Sequence, residues 1–373
     1  MFERRLHARC GCAAHAAAAR PFAFSNTPRN FERDRPFVVE HLALDLELRP
    51  ESKSVAGSAT LDVRRVDKTK DTIELDAVGF TIESVTVDGA AARHTYDGRI
   101  LRVTVGKKAK ATTWKIVVRY TAKPRRGMYF LSPDEHVRDR PEQIWTQCQE
   151  EDARHFFPCQ DKPHVKMTFE AKITAPNRWS VLSNGALVGS RTPKSGPWHF
   201  HWKMSDPLPS YLVTLVAGEF ATVEEPSGAV PISYWVPAAR KKDVARTFGR
   251  TPDMVKHFGE LFGVAYPWNK YAQVVVSDFI FGGMENTTAT TMYEHVLLDE
   301  RAALDVTSDD IIAHELAHHW FGDYVTCRDW SEGWLNEGFA TYLEHAWREH
   351  ALGKDEYEYG LKDRKSTRLN SSH

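Results

Sequence analysis

No stretch of this 373-residue chain approaches the roughly 18 consecutive apolar residues that a membrane-spanning helix requires. Neither sign of charge prevails. Lys+Arg 49 against Asp+Glu 50 leave a formal net charge of -1, which gives no electrostatic case for a nucleic-acid or anionic-membrane partner. Cysteine is scarce: Cys10, Cys12, Cys148, Cys159 and Cys327 contain no Cys-x-x-Cys pair. That argues against a structural zinc knuckle and against a disulfide framework. Free thiols in a reducing, cytoplasmic setting are the simpler reading, with a Cys148–Cys159 pair as the alternative in an oxidising compartment. Acids are sparse in residues 1–36, where Arg4, Arg5, Arg9, Arg20 and Arg29 surround an alanine-rich run. Such composition resembles an organelle-targeting segment, which would place the protein in an organelle. The preferred reading is a disordered extension. Residues 363–373, "DRKSTRLNSSH", lack periodicity and read as a non-native tail, with the natural sequence expected to depart near Lys362.

What is present begins with alternation. In "HLALDLELR" Leu42, Leu44, Leu46 and Leu48 share one face while Asp45, Glu47 and Arg49 take the other. A period of two with alternating polarity is the mark of a half-buried strand. Similar runs recur as far as "YLVTLVAG", punctuated by Asp88-Gly89, Asp97-Gly98 and Asn184-Gly185 turns. Residues 37–222 therefore read as a β-rich domain, a sandwich or saddle. From 223 the pattern changes to strands followed by helices, and 223–362 reads as an α+β domain. Within "KKDVARTFGRTPDMVKHFGELFG", Pro252 is expected at a break or a new helix start.

The chemistry concentrates in "TSDDIIAHELAHHWFG" and "SEGWLNEGFATYLEHAW". Thr307 and Asp310 resemble a capping box that starts a helix. In that helix His314 and His318 lie four apart, on one face and one turn apart, so their imidazoles can converge on one ion. Glu315 is turned about 100° away, toward the side where a water would sit. The second run is expected to be an amphipathic helix with Leu335, Phe339, Tyr342 and Ala346 as its apolar stripe. Glu337 stands in its first turns. The intervening "GDYVTCRDW" is long enough for the chain to reverse and bring Glu337 back to the histidines. Two His and one Glu leave a fourth zinc position open, which marks a catalytic site rather than a structural one. Glu315 is then placed to take a proton from water and pass it to a leaving amine. Glu344, two turns beyond Glu337 on the same face, is either a partner of a ligand histidine or a surface acid. His319 reads as structural.

HExxH followed after 18 residues by a Glu within "NEGFA" resembles the aminopeptidase N family of zinc metallopeptidases, the gluzincins that include leukotriene hydrolase. The resemblance covers roughly residues 37–362. It implies a thermolysin-like domain after the β-rich one, incomplete at its C-terminal end. It also implies one Zn2+ held by His314, His318 and Glu337, with Glu315 as general base. "FGGMEN" resembles the family's GxMEN. Paired glycines on an edge strand let a peptide backbone approach as an added strand. The resemblance makes Glu285 the anchor for a substrate's free α-amine, with Gly282, Gly283, Met284 and Asn286 lining the same strand. A bulge carrying a solvated Glu is the plain alternative. "TQCQEED" resembles the segment through which the β-rich domain reaches the substrate, which implies contacts from Gln147 and Gln149. The family's oxyanion tyrosine lies about sixty residues beyond the third ligand, and none of Tyr324, Tyr342, Tyr357 and Tyr359 matches it. The chain as written is accordingly expected to hydrolyse peptides weakly or not at all. Two other readings stand beside the aminopeptidase: an epoxide hydrolase of the leukotriene hydrolase type, and a non-catalytic scaffold keeping the fold. The retained ligands and base weigh against the scaffold.

Overall fold

The computed structural model describes residues 33–106, 112–225, 228 and 230–370. Contacts group the described residues from Pro36 onward into one compact unit. The expected disorder or targeting role of the N-terminal extension lies, as far as residue 32, outside the described residues.

The alternating leucines do what their spacing requires. Leu42, Leu44, Leu46 and Leu48 are all buried on one face of the strand Phe37–Arg49. That strand sits centrally in an eight-stranded sheet, antiparallel to Ser54–Arg65 and parallel to Lys166–Ala175, with Leu42 opposite Leu61 and Phe169. A four-stranded sheet runs in the order Ser180–Ser183, Leu215–Gly218, Gln143–Gln147, Gly127–Leu131. A small three-stranded sheet completes the β-rich part. The Asn184-Gly185 turn is fixed twice over. Gly185 takes φ +75°, and a Cβ there would stand 2.1 Å from the Lys203 carbonyl oxygen. Asn184 Nδ2 donates to the carbonyls of Leu212 and Thr287, both at 2.8 Å.

The expected boundary at 222–223 falls inside the strand Ala221–Glu225, which already belongs to the next sheet. That sheet has five strands in the order Ala221–Glu225, Ile232–Val236, Tyr271–Val276, Ala289–Tyr293, Gly283–Met284. Gly283–Met284 is therefore an edge strand, paired only with Ala289–Tyr293. Helices follow: α1 (Val244–Phe248), α2 (Thr251–Phe262), α3 (Asp309–Ala317), α4 (Trp334–Leu352) and α5 (Lys354–Asn370). Pro252 opens α2, where its missing N–H is harmless, and Gly263 ends that helix in the left-handed conformation. Residues 363–370 of the segment read as a non-native tail continue α5, which runs to Asn370.

Two expectations for the helices need correction. Asp309, not Asp310, is the residue whose N–H Thr307 Oγ1 accepts, at 3.1 Å, and Asp310 instead faces Arg348 at 3.2 Å. The buried residues of α4 are Asn336, Ala340, Leu343, Glu344, His345 and Trp347, whereas Phe339 and Tyr342 are exposed. Both faces of α4 carry apolar residues, so periodicity alone does not say which one meets the core. The small Ala340 decides it by allowing close approach to α3.

The helices close on a core cluster of their own, while the core of the β-rich sheets extends into the second part. Trp268, Val274, Phe279 and Met284 pack with residues of the β-rich sheets. Hydrogen bonds cross the seam: Trp145 Nε1 donates to the Ser277 carbonyl and the Ser277 N–H to Gln143 Oε1, each at 3.1 Å.

Candidate active site

α3 is buried on most sides, so its polar residues must find partners or a ligand. His314 Nδ1 lies 2.6 Å from Glu344 Oε1, and His318 Nδ1 lies 3.0 Å from the Phe321 carbonyl oxygen. Both partners are acceptors only, so both Nδ1 atoms carry the proton. Each Nε2 is then the nitrogen left to take a further proton or a metal ion. These two face each other at 3.1 Å, an arrangement that calls for something positive between them. Glu337 Oε2 closes the group at 3.4 Å from His314 Nε2 and 3.6 Å from His318 Nε2. Among the described residues this is the one set of three donors gathered within 4.8 Å. Ligands placed tetrahedrally at about 2.0–2.1 Å from a zinc ion stand about 3.4 Å apart, so the donor set fits that ion.

The electrostatics agree. Burial pulls His314 down, but hydrogen bonds with Glu337 and Glu344 outweigh it and raise the imidazole to about 10. Burial acts likewise on His318, and the charges of Glu285 and Glu337 raise it to about 9. Burial raises Glu337, yet the two imidazoles more than offset this and hold its carboxyl well below the usual range. A pocket that makes imidazoles cling to protons is a pocket that favours a cation.

Glu315 lies next to this group, 4% exposed, and burial pushes its carboxyl up to about 7. Its side chain packs on the backbone of Gly283, where a Cβ would come within 2.3 Å of Oε1. HExxH and GGMEN are thereby in contact. Glu285 is 2% exposed, with Oε1 accepting no hydrogen bond from the described residues. Burial raises its pKa, and the neighbouring His318 opposes the rise. Gln149 Nε2 reaches Glu337 Oε1 at 3.4 Å.

The comparisons with known proteins bear on this constellation. Residues 38–212 match the peptidase M1 N-terminal domain, and residues 246–371 match the peptidase family M1 domain. The chain belongs to peptidase family M1. It is 28% identical over 328 residues to leukotriene A-4 hydrolase of Xenopus laevis, covering 85% of this chain and 52% of that protein. It is 30% identical over 340 residues to leucine aminopeptidase 2 of Aspergillus fumigatus, covering 87% and 53%. Native leukotriene A4 hydrolase from Saccharomyces cerevisiae superposes with a TM-score of 0.76 at 23% identity, covering 89% of this chain and 51% of that one, which shows the shared fold. This M1 chain thus spans about half the length of the relatives it matches.

The structure gathers some of the M1 chain's expected substrate residues and assigns others different partners. Gly282, Gly283 and Glu285 border the site. Gln147 Nε2 donates to Met284 Sδ at 3.1 Å, and Asn286 Nδ2 donates to Thr291 Oγ1 at 3.2 Å, so Asn286 braces its own turn. Glu344 is buried on His314 rather than a surface acid. His319 is structural: Nδ1 meets Tyr266 OH at 2.7 Å and Nε2 meets Thr290 Oγ1 at 3.1 Å. Sequence reading missed Tyr211 and Asp323. Tyr211 OH donates to the Gly322 carbonyl at 3.3 Å and accepts from Asn336 Nδ2 at 3.2 Å, tying the β-rich part to α4. Asp323 is buried close to Glu285, and burial raises its carboxyl well above the usual range. Its place just after "HHWFG" is the local signal that could have drawn notice.

Proposed function

We propose that this chain carries the catalytic apparatus of a zinc aminopeptidase that removes N-terminal residues from peptides. The observation that carries the reading is the trio His314, His318 and Glu337, with separations of 3.1, 3.4 and 3.6 Å. These residues would hold one zinc ion, which supplies a Lewis acid that acidifies water and polarises a carbonyl. Glu315 orients the attacking water and takes its proton as the oxygen bonds to the carbonyl carbon. It returns that proton to the amide nitrogen as the C–N bond breaks, and the rest of the peptide leaves as an amine. Glu285 anchors the α-amine, whose pKa is near 8. Gly282 and Gly283 offer backbone groups to a substrate added at the sheet edge. The paired requirement, a free amine at Glu285 and a carbonyl beside Glu315, explains removal of one residue at a time. We also propose the division into a β-rich 37–222 and a catalytic 223–362.

Metal analysis and substrate blocking test this reading. The purified chain is expected to bind one zinc, and His318→Ala to bind none tightly. Leucine p-nitroanilide is expected to be cleaved slowly, in keeping with the weak hydrolysis expected of the chain as written, and its N-acetyl derivative to be left intact. Absence of stoichiometric zinc, or equal cleavage of the acetylated compound, overturns it.

A further inference from the structure

Beside the edge strand the protein exposes apolar surface at a cost. Ile280 is 60% and Phe281 52% exposed, side by side in the bend before Gly283–Met284. They lead to a cavity of about 310 Å3 whose apolar lining comes from Tyr129, Phe130, Leu131, Trp145 and Ile280. Tyr129 stacks on Trp145 with ring centroids 4.4 Å apart, and Phe279 meets Trp145 edge-on at 5.1 Å. Arg140 stands in the wall, but its charge is already met: Nε lies 2.6 Å from Asp278 Oδ2 and Nη1 bonds Asp134. Lys53 and Ser132 complete a polar rim, and the aromatic and aliphatic wall is the part of the cavity that would receive an apolar side chain.

Its position relative to the chemistry follows from two strands. Just past the edge strand Glu285 marks the proposed amine end, and on it Gly283 lies against the base Glu315. A peptide whose amine is at Glu285 and whose first carbonyl is near Glu315 must run on past Gly282 and Phe281 toward Ile280. On the other side, Gln149 touches Glu337, Gln147 touches Met284, and Trp145 is tied to Ser277. The strand Gln143–Gln147 carries this rim about 7 Å from Gln147 to Trp145 at about 3.3 Å per residue, and Gln149 lies in the turn beyond it, so the cavity stands several residues along an extended peptide from the site.

We propose that this cavity is a distal subsite that takes an apolar or aromatic side chain at the fourth or fifth substrate position, so that the preferred substrates are peptides of at least that length. The direction of the peptide rests on the aminopeptidase reading. The test uses the zinc-loaded chain and C-terminally labelled hexapeptides with a reduced first amide bond, read by fluorescence anisotropy. Phe at position four or five is expected to bind roughly tenfold more tightly than Gly there. Ile280→Asp and Tyr129→Ala are each expected to erase that preference while binding a labelled dipeptide analogue as the unsubstituted chain does. Equal binding of the Phe and Gly peptides, or a preference that survives both substitutions, overturns the subsite. N-acetylated hexapeptides separate the two ideas: if they bind as tightly as free ones, the amine anchor fails, while the Phe-to-Gly ratio still judges the cavity.

Discussion

Substituting Gly283 by alanine changes one methyl group and strikes the centre of the proposed chemistry. The glycine's φ is not positive, so the backbone itself accepts alanine, and only the added Cβ matters. That Cβ would stand 2.3, 2.4 and 2.5 Å from Oε1, Cδ and Cγ of Glu315, where ordinary contact begins at 3.4 Å. Glu315 therefore has to retreat by about 1 Å, or the edge strand has to lift by the same amount. A misplacement of about 1 Å at a catalytic group costs about 10²-fold in rate, or about 2.7 kcal/mol of barrier. Overpacking adds about 1–3 kcal/mol of destabilisation. Three readouts follow: hydrolysis of leucine p-nitroanilide relative to the unsubstituted chain, the urea midpoint, and zinc content. The ratio of rates, not the absolute rate, carries the prediction. Zinc content should stay at one, because His314, His318 and Glu337 do not touch Gly283. Gly282→Ala is the internal control. Its Cβ meets only Ile311, at 3.2 Å from Cδ1 and 3.7 Å from Cγ1, the far end of a flexible side chain, and the loss should be several-fold at most. A Gly283→Ala chain with unaltered rate and midpoint would refute the proposed contact between the sheet edge and the base.

Glu344→Gln keeps the shape but removes the charge that His314 Nδ1–H donates to, and is expected to weaken zinc binding by about 10–100-fold in chelator competition. Tyr266→Phe takes away the hydroxyl that accepts from His319 and donates to the Lys270 carbonyl. The buried imidazole is left short of a partner, at a cost of about 1–3 kcal/mol by urea denaturation with zinc content unchanged. Arg154→Met strands the fully buried Asp161, which Arg154 Nε meets at 2.9 Å, and should cost about 3–5 kcal/mol. Adding Asp161→Leu should recover most of that loss, and a double variant no more stable than the single one would contradict the ion-pair account.

The sequence disclosed those features that are local. The leucine alternation of Phe37–Arg49 needs only its own neighbours to be read, and it placed the core face correctly. His314 and His318 share one helical turn, and Glu337 follows after a loop long enough only to reverse, so the donor set was legible before any coordinates. The buried face of α4 was not, because Phe339 and Tyr342 are as apolar as the residues that face α3, and the choice was made by a distant surface. The same holds for Tyr211, and for the contact of Gln149 with Glu337, although the resemblance had already named Gln149. Tyr211 meets Asn336 across 125 positions and Gln149 meets Glu337 across 188, and no periodicity reports contacts so remote in sequence. Asp323 escaped notice because an acid after a Gly reads as a turn residue until its burial is known.

The seam between Trp145, Gln143 and Ser277 bears on how such proteins can be recombined. A strand of the β-rich part supplies one rim of the proposed peptide path and the edge strand supplies the other. Grafting a foreign N-terminal segment onto residues 223–362 would therefore exchange half of the groove, and not merely a supporting scaffold. Chimeras that preserve the indole, the amide and the serine backbone at this junction should retain register between the two rims. Those that break it should still bind metal yet lose discrimination among longer peptides.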